Sequence, residues 1–337
     1  MSLVTTQPDR SVRMPDLKGV LLSSEFGLFL LIVLFGGLFY SVSSGFLSSF
    51  NIAAMSRAAA INIMIGFSMM AVIATGGLSL AVGAIGACAA MTCGWLLQEI
   101  GLPWPLALLL AIAVGAALGA INGVIEVKTG LHSFIVTLAT MSLFFGIMIF
   151  LTQAQTYRGI PADFVSFGRM KVMGISAAMG PTLIVTAALI VLYGNTRIGK
   201  EMLAAGARPE AARLSGVRVG RMIVLAHAIS GGLAAIAALL LVARNGAAIP
   251  SMAGNLGQDW LLIAFLGPVL GGAVLTGGKI SVIGAFLGAV LVTVLSNGLL
   301  LMQIGEFWLQ ACLGAVLLLA VLLDLARRNY LERRAKQ

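Results

Sequence analysis

Between Arg57 and Glu99 the chain carries no ionisable side chain except the thiols of Cys88 and Cys93, and comparable gaps run from Glu99 to Glu126 and from Lys279 to Glu306. Runs of this length match a hydrocarbon layer of roughly 30 Å, which a helix of about 20 residues crosses. Within lipid each backbone N–H and C=O must be satisfied by the chain itself, which leaves helices or closed barrels. Barrel strands alternate polar and apolar residues over about ten positions, and these runs do not. The expected fold class is therefore all-α, a polytopic transmembrane helical bundle. Composition agrees: the 337 residues are 60% hydrophobic and 10% charged, where a soluble domain is about half apolar and a quarter charged.

Apolar runs fall at 26–45, 58–74, 78–97, 104–125, 133–152, 179–194, 222–243, 260–276, 280–301 and 306–323, which predicts about ten spans. With the N-terminus inside, alternation leaves only Arg57, Arg158, Arg169, Lys171 and Arg244 outside, five of the 21 Lys and Arg, and sixteen inside. The positive-inside rule then predicts that both termini are cytoplasmic. The chain divides into a cytoplasmic segment 1–24, a transmembrane domain 25–325 and a basic cytoplasmic tail 326–337. Its two longest internal loops face opposite ways, 153–178 outside and 195–221 inside. The N-terminus is polar up to about Leu21 and shows no small-residue cleavage site, so the first run reads as a retained span.

Several function classes lose their residues. A net charge of +9 is accounted for by topogenic loop cations, and no nucleic-acid partner is expected. Cys88, Cys93 and Cys312 lie in apolar runs as small hydrophobes, and with His132 and His227 they show no metal-ligand spacing. No metal or other cofactor is expected. Gly199-Lys200 is followed by Glu201 and Gly278-Lys279 by Ile280, so neither lysine is followed by the magnesium-binding hydroxyl of a nucleotide loop. The chain is not expected to hydrolyse ATP or to be an enzyme. Glu99, Glu126, Asp259, Glu306 and Asp324 fall at span ends, away from the midplane where ion-coupled carriers place carboxylates. His227, a turn inside its span, reads as a satisfied packing residue.

The inner loop is patterned. Between Thr196 and Arg221 it packs Arg197, Lys200, Arg208, Arg213, Arg218 and Arg221 around Glu201-Met202-Leu203-Ala204-Ala205 and Pro209-Glu210-Ala211-Ala212-Arg213-Leu214. These have the composition of two short helices broken at Gly206 and Gly216, with Pro209 suited to a first turn. A tether to anionic headgroups needs charge but no pattern, so docking to a soluble partner is the favoured reading. Thr75-Gly76-Gly77 with Ser79, Gly83 and Gly86 is echoed by Thr276-Gly277-Gly278 with Ser281, Gly284 and Gly288, which either marks an internal repeat or is coincidence in a glycine-rich chain. Gly115, Gly119 and Gly123 share a helix face, as do Gly284 and Gly288, and such spacing is expected to serve close helix packing.

Thr196-Arg197-Ile198-Gly199-Lys200 and the run from Gly206 to Val217 resemble the cytoplasmic loop of permease subunits of bacterial ABC importers for monosaccharides such as ribose, xylose, arabinose and galactose. Further likeness lies in Gly76-Gly77-Leu78-Ser79-Leu80-Ala81-Val82-Gly83, Asn122-Gly123, Phe134-Ile135-Val136-Thr137-Leu138, Leu270-Gly271-Gly272 and Gly277-Gly278-Lys279, over roughly 50–325. The resemblance implies a multi-pass permease of the bacterial inner membrane that forms the pathway for a sugar or sugar-like solute. It implies a cytoplasmic ATP-binding subunit, a periplasmic solute-binding protein and a second permease subunit, identical or a paralogue, with membrane lipid around them. On matching positions Glu210, Ala211, Ala212, Arg213, Leu214 and Gly216 would form the ATPase-coupling helix and its edge. Ser79 stands where the family usually has an acid, and His132-Ser133 where it usually has a proline, which favours a paralogous second permease.

A sugar-like solute needs hydroxyl and amide groups along its path. Ser79, Asn122 and Asn297 are the candidate pathway residues, each also readable as an interhelical hydrogen bond. An ion-coupled or passive carrier or channel for a small polar solute is the alternative.

Overall fold

The computed structural model describes residues 24–254 and 257–303 and, beyond these, 308, 310–315 and 318. The tail at 326–337, most of the run at 306–323 and nearly all of the N-terminal segment lie outside the described residues. The described residues are helical apart from one short hairpin. In order the elements are α1 (Ser24–Val42), α2 (Ser49–Ile73), α3 (Val82–Gln98), α4 (Trp104–Thr129), α5 (Ser133–Thr152), α6 (Ala162–Arg169), β1 (Lys171–Val172), β2 (Ile175–Ser176), α7 (Met179–Asn195), α8 (Arg197–Ala207), α9 (Pro209–Leu214), α10 (Val219–Asn245), α11 (Asp259–Leu270) and α12 (Val282–Leu301).

Among the described residues six helices, α1, α2, α4, α5, α10 and α12, are long and apolar enough to cross a membrane, and α7 makes a seventh if it is joined to α8 across their 70° bend. Two apolar runs form shorter helices. α3 begins only at Val82, because 77–81 is not helical. α11 stops at Leu270 instead of reaching 276: Pro268 within it lacks the N–H of a helical residue, and Gly272 at φ 80° closes it with N–H groups of Gly272 and Ala273 on the carbonyls of Val269 and Pro268.

α2 is the centre. Every residue from Ile63 to Ile73 is buried, the pattern of a helix wrapped by others on all sides. α10, α11 and α12 pack round it and α4 packs on α10. The α4–α10 contact is close because the glycines carry no Cβ. At Gly115 a Cβ would lie 2.6 Å from the Gly231 carbonyl oxygen, and at Gly119 it would overlap the His227 carbonyl. Gly284 and Gly288 of α12 meet Gly271 and Gly267 in the same way. The close-packing role expected for both stripes is what the glycines perform. α1 lies on the rim, touching α12 through Leu28 and Phe39 against Leu291 and Leu295, with Phe29, Leu30 and Leu34 exposed.

The connections separate into two groups at opposite ends of the bundle. At one end, the Tyr157 and Ala248 backbones bridge, the Gln98 side chain accepts from the Arg158 and Gly159 N–H groups, and Arg57 and Arg169 donate to the carbonyls of Arg169 and Arg244. At the other end, Ser133 reaches Leu78, the 276–278 turn meets residues 74–76, and Ser281 donates to Glu25 at 2.6 Å. The 153–178 connection is itself ordered: Phe164 of α6 stacks on Trp104 at 5.8 Å, and β1 pairs antiparallel with β2 across Met173-Gly174. Burial, then the Glu99 charge, raises the Tyr157 phenol above its ordinary range.

Candidate functional site

Residues 195–221 fold into two helices. α8 starts where Thr196 turns extended and its Oγ1 accepts the Gly199 N–H at 3.1 Å, an N-cap. Arg197 and Glu201 pair one turn apart at 2.6 Å on its outer side. The sequence predicted a break at Gly206, but α8 continues through it to Ala207. The break comes at Arg208 (φ −151°, ψ 91°), because the ring of Pro209 disfavours helical backbone in the residue before it. Pro209 opens α9, as expected. Gly216 does end α9: at φ 82° it donates to the Arg213 carbonyl while Val217 donates to Ala212, both at 3.0 Å, a Schellman cap.

Among the residues expected to couple to a motor, Ala212 is buried and fixes α9 to the body. Glu210, Ala211, Arg213 and Gly216 are exposed, and Leu214 is 92% exposed. A six-residue helix thus presents an acid, a base and a bare leucine on one protruding knob.

α8 is seated by backbone on backbone. A Cβ at Gly206 would overlap the Ala74 carbonyl oxygen and lie 2.7 Å from the Gly278 nitrogen, and Gly278 N–H donates to that same Ala74 carbonyl at 3.2 Å. Gly277 lies so close to Gly76 that a Cβ would be 2.6 Å from its nitrogen. The two Thr-Gly-Gly segments therefore touch each other and α8 at a single junction. They are not the same turn. Gly76 (φ 84°) caps α2, with Gly76 and Gly77 N–H groups on the Ile73 and Val72 carbonyls, whereas α11 is capped four residues before Thr276-Gly277-Gly278, at Gly272.

The three candidate pathway residues come from separate elements, and no hydrogen bond joins any two of them. Ser79 is buried in the non-helical 77–81 stretch, whose Leu78 and Leu80 N–H groups are accepted by Ser133 Oγ at 2.8 Å and Thr137 Oγ1 at 3.0 Å. His132 caps α5, its ring nitrogen accepting the Phe134 N–H, so the His132-Ser133 pair does local structural work. Asn297 is tied to Asn51 by two amide hydrogen bonds of 2.8 and 3.0 Å. Asn122 is fully buried on α4, and neither its amide nitrogen nor its oxygen has a partner among the described residues.

One pairing was not legible in sequence. His227 Nε2 sits 2.8 Å from Glu126 Oε2, linking α10 to α4 with the histidine 1% exposed. His227 is thus the satisfied packing residue expected of it, and the only hint of its partner is that both lie near the same end of the bundle.

The family model described as the branched-chain amino acid transport system / permease component matches residues 50–322. The chain belongs to that family. Among the permease's curated relatives, the ribose import permease protein of Bacillus subtilis (strain 168) is 35% identical over 88% of this chain and 90% of its own length. The D-allose transport system permease protein of Escherichia coli (strain K12) is 32% identical over 89% and 91%, and the galactose/methyl galactoside import permease protein of the same organism 32% over 83% and 87%. The resemblance to monosaccharide-type ABC importer permeases read from the inner loop is borne out. No solved structure matches the permease.

Proposed function

We propose that this permease is the membrane-spanning subunit of an ABC importer of the bacterial inner membrane, forming the pathway for a monosaccharide or sugar-like solute. In this reading the two shorter helices and the run at 306–323 complete about ten passes, with both termini cytoplasmic. A separate cytoplasmic subunit binds and hydrolyses ATP, and a periplasmic binding protein delivers solute to the 153–178 face. A second permease, favoured as a paralogue, supplies part of the path.

The observation that carries the proposal is the pairing of a protruding α9, with Glu210, Arg213 and Leu214 exposed, to an α8 seated by backbone on both glycine turns. A motor that holds α9 differently in its two nucleotide states displaces α8, and through Gly206 the ends of α2 and the start of α12. A partner that bound both arrangements equally would shift nothing. Asn122, with its unpaired amide, is the favoured solute contact. Ser79 and Asn297 belong to the path only if it widens at the bend before α3 and at the Asn51 pair.

Gly216→Pro cannot adopt φ 82°, and Glu210→Arg inverts the charge at the start of the knob. Both are expected to abolish uptake and stimulation of the ATPase while membrane insertion persists; wild-type transport by both removes the coupling assignment. Solute accumulation against a gradient by vesicles holding this chain alone overturns the ABC reading. Uptake that collapses with an ionophore at constant ATP supports the ion-coupled alternative instead.

A further inference from the structure

A cavity of about 890 Å³ opens between the α8 flank and the ends of α4 and α10 that lie beside it. Lys128, Arg197, Arg218 and Arg221 line it, and Glu201 is the one carboxylate among its lining residues. Glu201 is engaged by Arg197 at 2.6 Å, which leaves Lys128, Arg218 and Arg221 without an ion pair among the described residues. The remaining wall is hydrocarbon, chiefly Val124, Val127, Met222, Val224 and Leu225. It continues along α4, where Ile121, Val124 and Val127 are 46, 37 and 42% exposed on a helix of membrane-crossing length.

The cavity is therefore graded, cationic at the ends of α4 and α10 and apolar further along these helices of membrane-crossing length. Guanidinium and ammonium groups at the end of such a helix match the phosphate of a lipid headgroup, and the hydrocarbon wall matches the first part of its acyl chain. Free phosphate would match the cations but not that wall. An acidic protein segment would match the charge but not an apolar face that runs on toward the bilayer core.

We propose that this cavity binds one anionic phospholipid of the cytoplasmic leaflet, its phosphodiester held by Lys128, Arg218 and Arg221 and its acyl chain lying along α4. With α8 as one wall, the lipid touches the helix that seats on the glycine turns. The proposal rests on the chain spanning a membrane and on the cation-rich end being cytoplasmic, not on ATP-driven import.

The test uses the full chain purified in detergent without any ATP-binding subunit, titrated with phosphatidylglycerol or phosphatidylcholine, bound lipid being counted by native mass spectrometry. One site with a preference of roughly tenfold or more for phosphatidylglycerol is expected. The double variant Lys128→Gln/Arg221→Gln should lose the preference and keep its phosphatidylcholine binding. The charge-preserving pair Lys128→Arg/Arg221→Lys, and Arg158→Gln at the opposite end, should keep the preference, which separates charge loss from misfolding. Equal binding of the two lipids, or an unchanged preference in the double variant, overturns the site. Displacement of the lipid by inorganic phosphate alone reassigns it to a soluble anion. Displacement on adding the ATP-binding subunit reassigns it to a protein contact.

Discussion

His227 lies almost wholly buried where α10 crosses α4, and Glu126 meets its ring nitrogen at 2.8 Å. A buried ring nitrogen without a partner is costly, so the pair is expected to matter to stability more than to transport. Glu126→Leu should lower stability by about 1 kcal/mol or somewhat more and Glu126→Gln by less, read as thermal unfolding in detergent. Gly216 is a different case. Among the described residues nothing lies within 4 Å of the position its Cβ would take, so the penalty of Gly216→Ala is backbone strain at positive φ, about 1–2 kcal/mol. Asparagine tolerates that conformation better, and Gly216→Asn should retain more ATPase stimulation than Gly216→Ala.

Neighbouring glycines in one element have opposite roles. On α10, Gly231 presses on α4 so closely that a Cβ would overlap the Gly115 carbonyl oxygen, while a Cβ on Gly232 would find Ala116 at an ordinary 3.8 Å. Gly231→Ala is expected to cost about 1–3 kcal/mol through overpacking. Gly232→Ala should be neutral or mildly stabilising, since alanine is the better helix former; side-by-side melting curves of the two variants test this. The same logic explains the shortened α11. Hydropathy reads 260–276 as one run, but a proline near its end and a left-handed glycine four residues later close the helix at Leu270.

Over the whole molecule the connections sort into two ends. Single cysteines replacing Arg158 and Arg213, in a background with Cys312 changed to serine, should react with a membrane-impermeant thiol reagent from opposite sides, Arg158 from the periplasmic and Arg213 from the cytoplasmic side. Labelling of both from one side would break the alternation. The junction of Gly76, Gly206 and Gly277 is where α8 can act on the bundle, because contacts between main chains have no side-chain freedom to absorb a displacement. Gly206→Ala should push α8 off the Ala74 carbonyl and uncouple ATP hydrolysis from uptake, with folding and insertion retained. Tight coupling in that variant would show that force enters elsewhere.

Membrane residence, helical class, the two short helices of the 195–221 loop and its family likeness follow from the sequence alone, because each is written in short-range signals: uncharged runs as long as a bilayer is thick, a proline that opens α9, a glycine that ends it. The break between α8 and α9 was misplaced by two residues only because Pro209 acts on its neighbour Arg208. Tertiary structure alone decided which residues meet across long separations. Glu126 finds His227, Asn51 finds Asn297, and the two similar Thr-Gly-Gly segments meet each other and Gly206. Ser79, Asn122 and Asn297 share a polar character but no location, so hydropathy could select them without grouping them. Periodicity records which face of a helix is buried; the identity of what buries it depends on packing among helices far apart in the chain, and no local pattern encodes that.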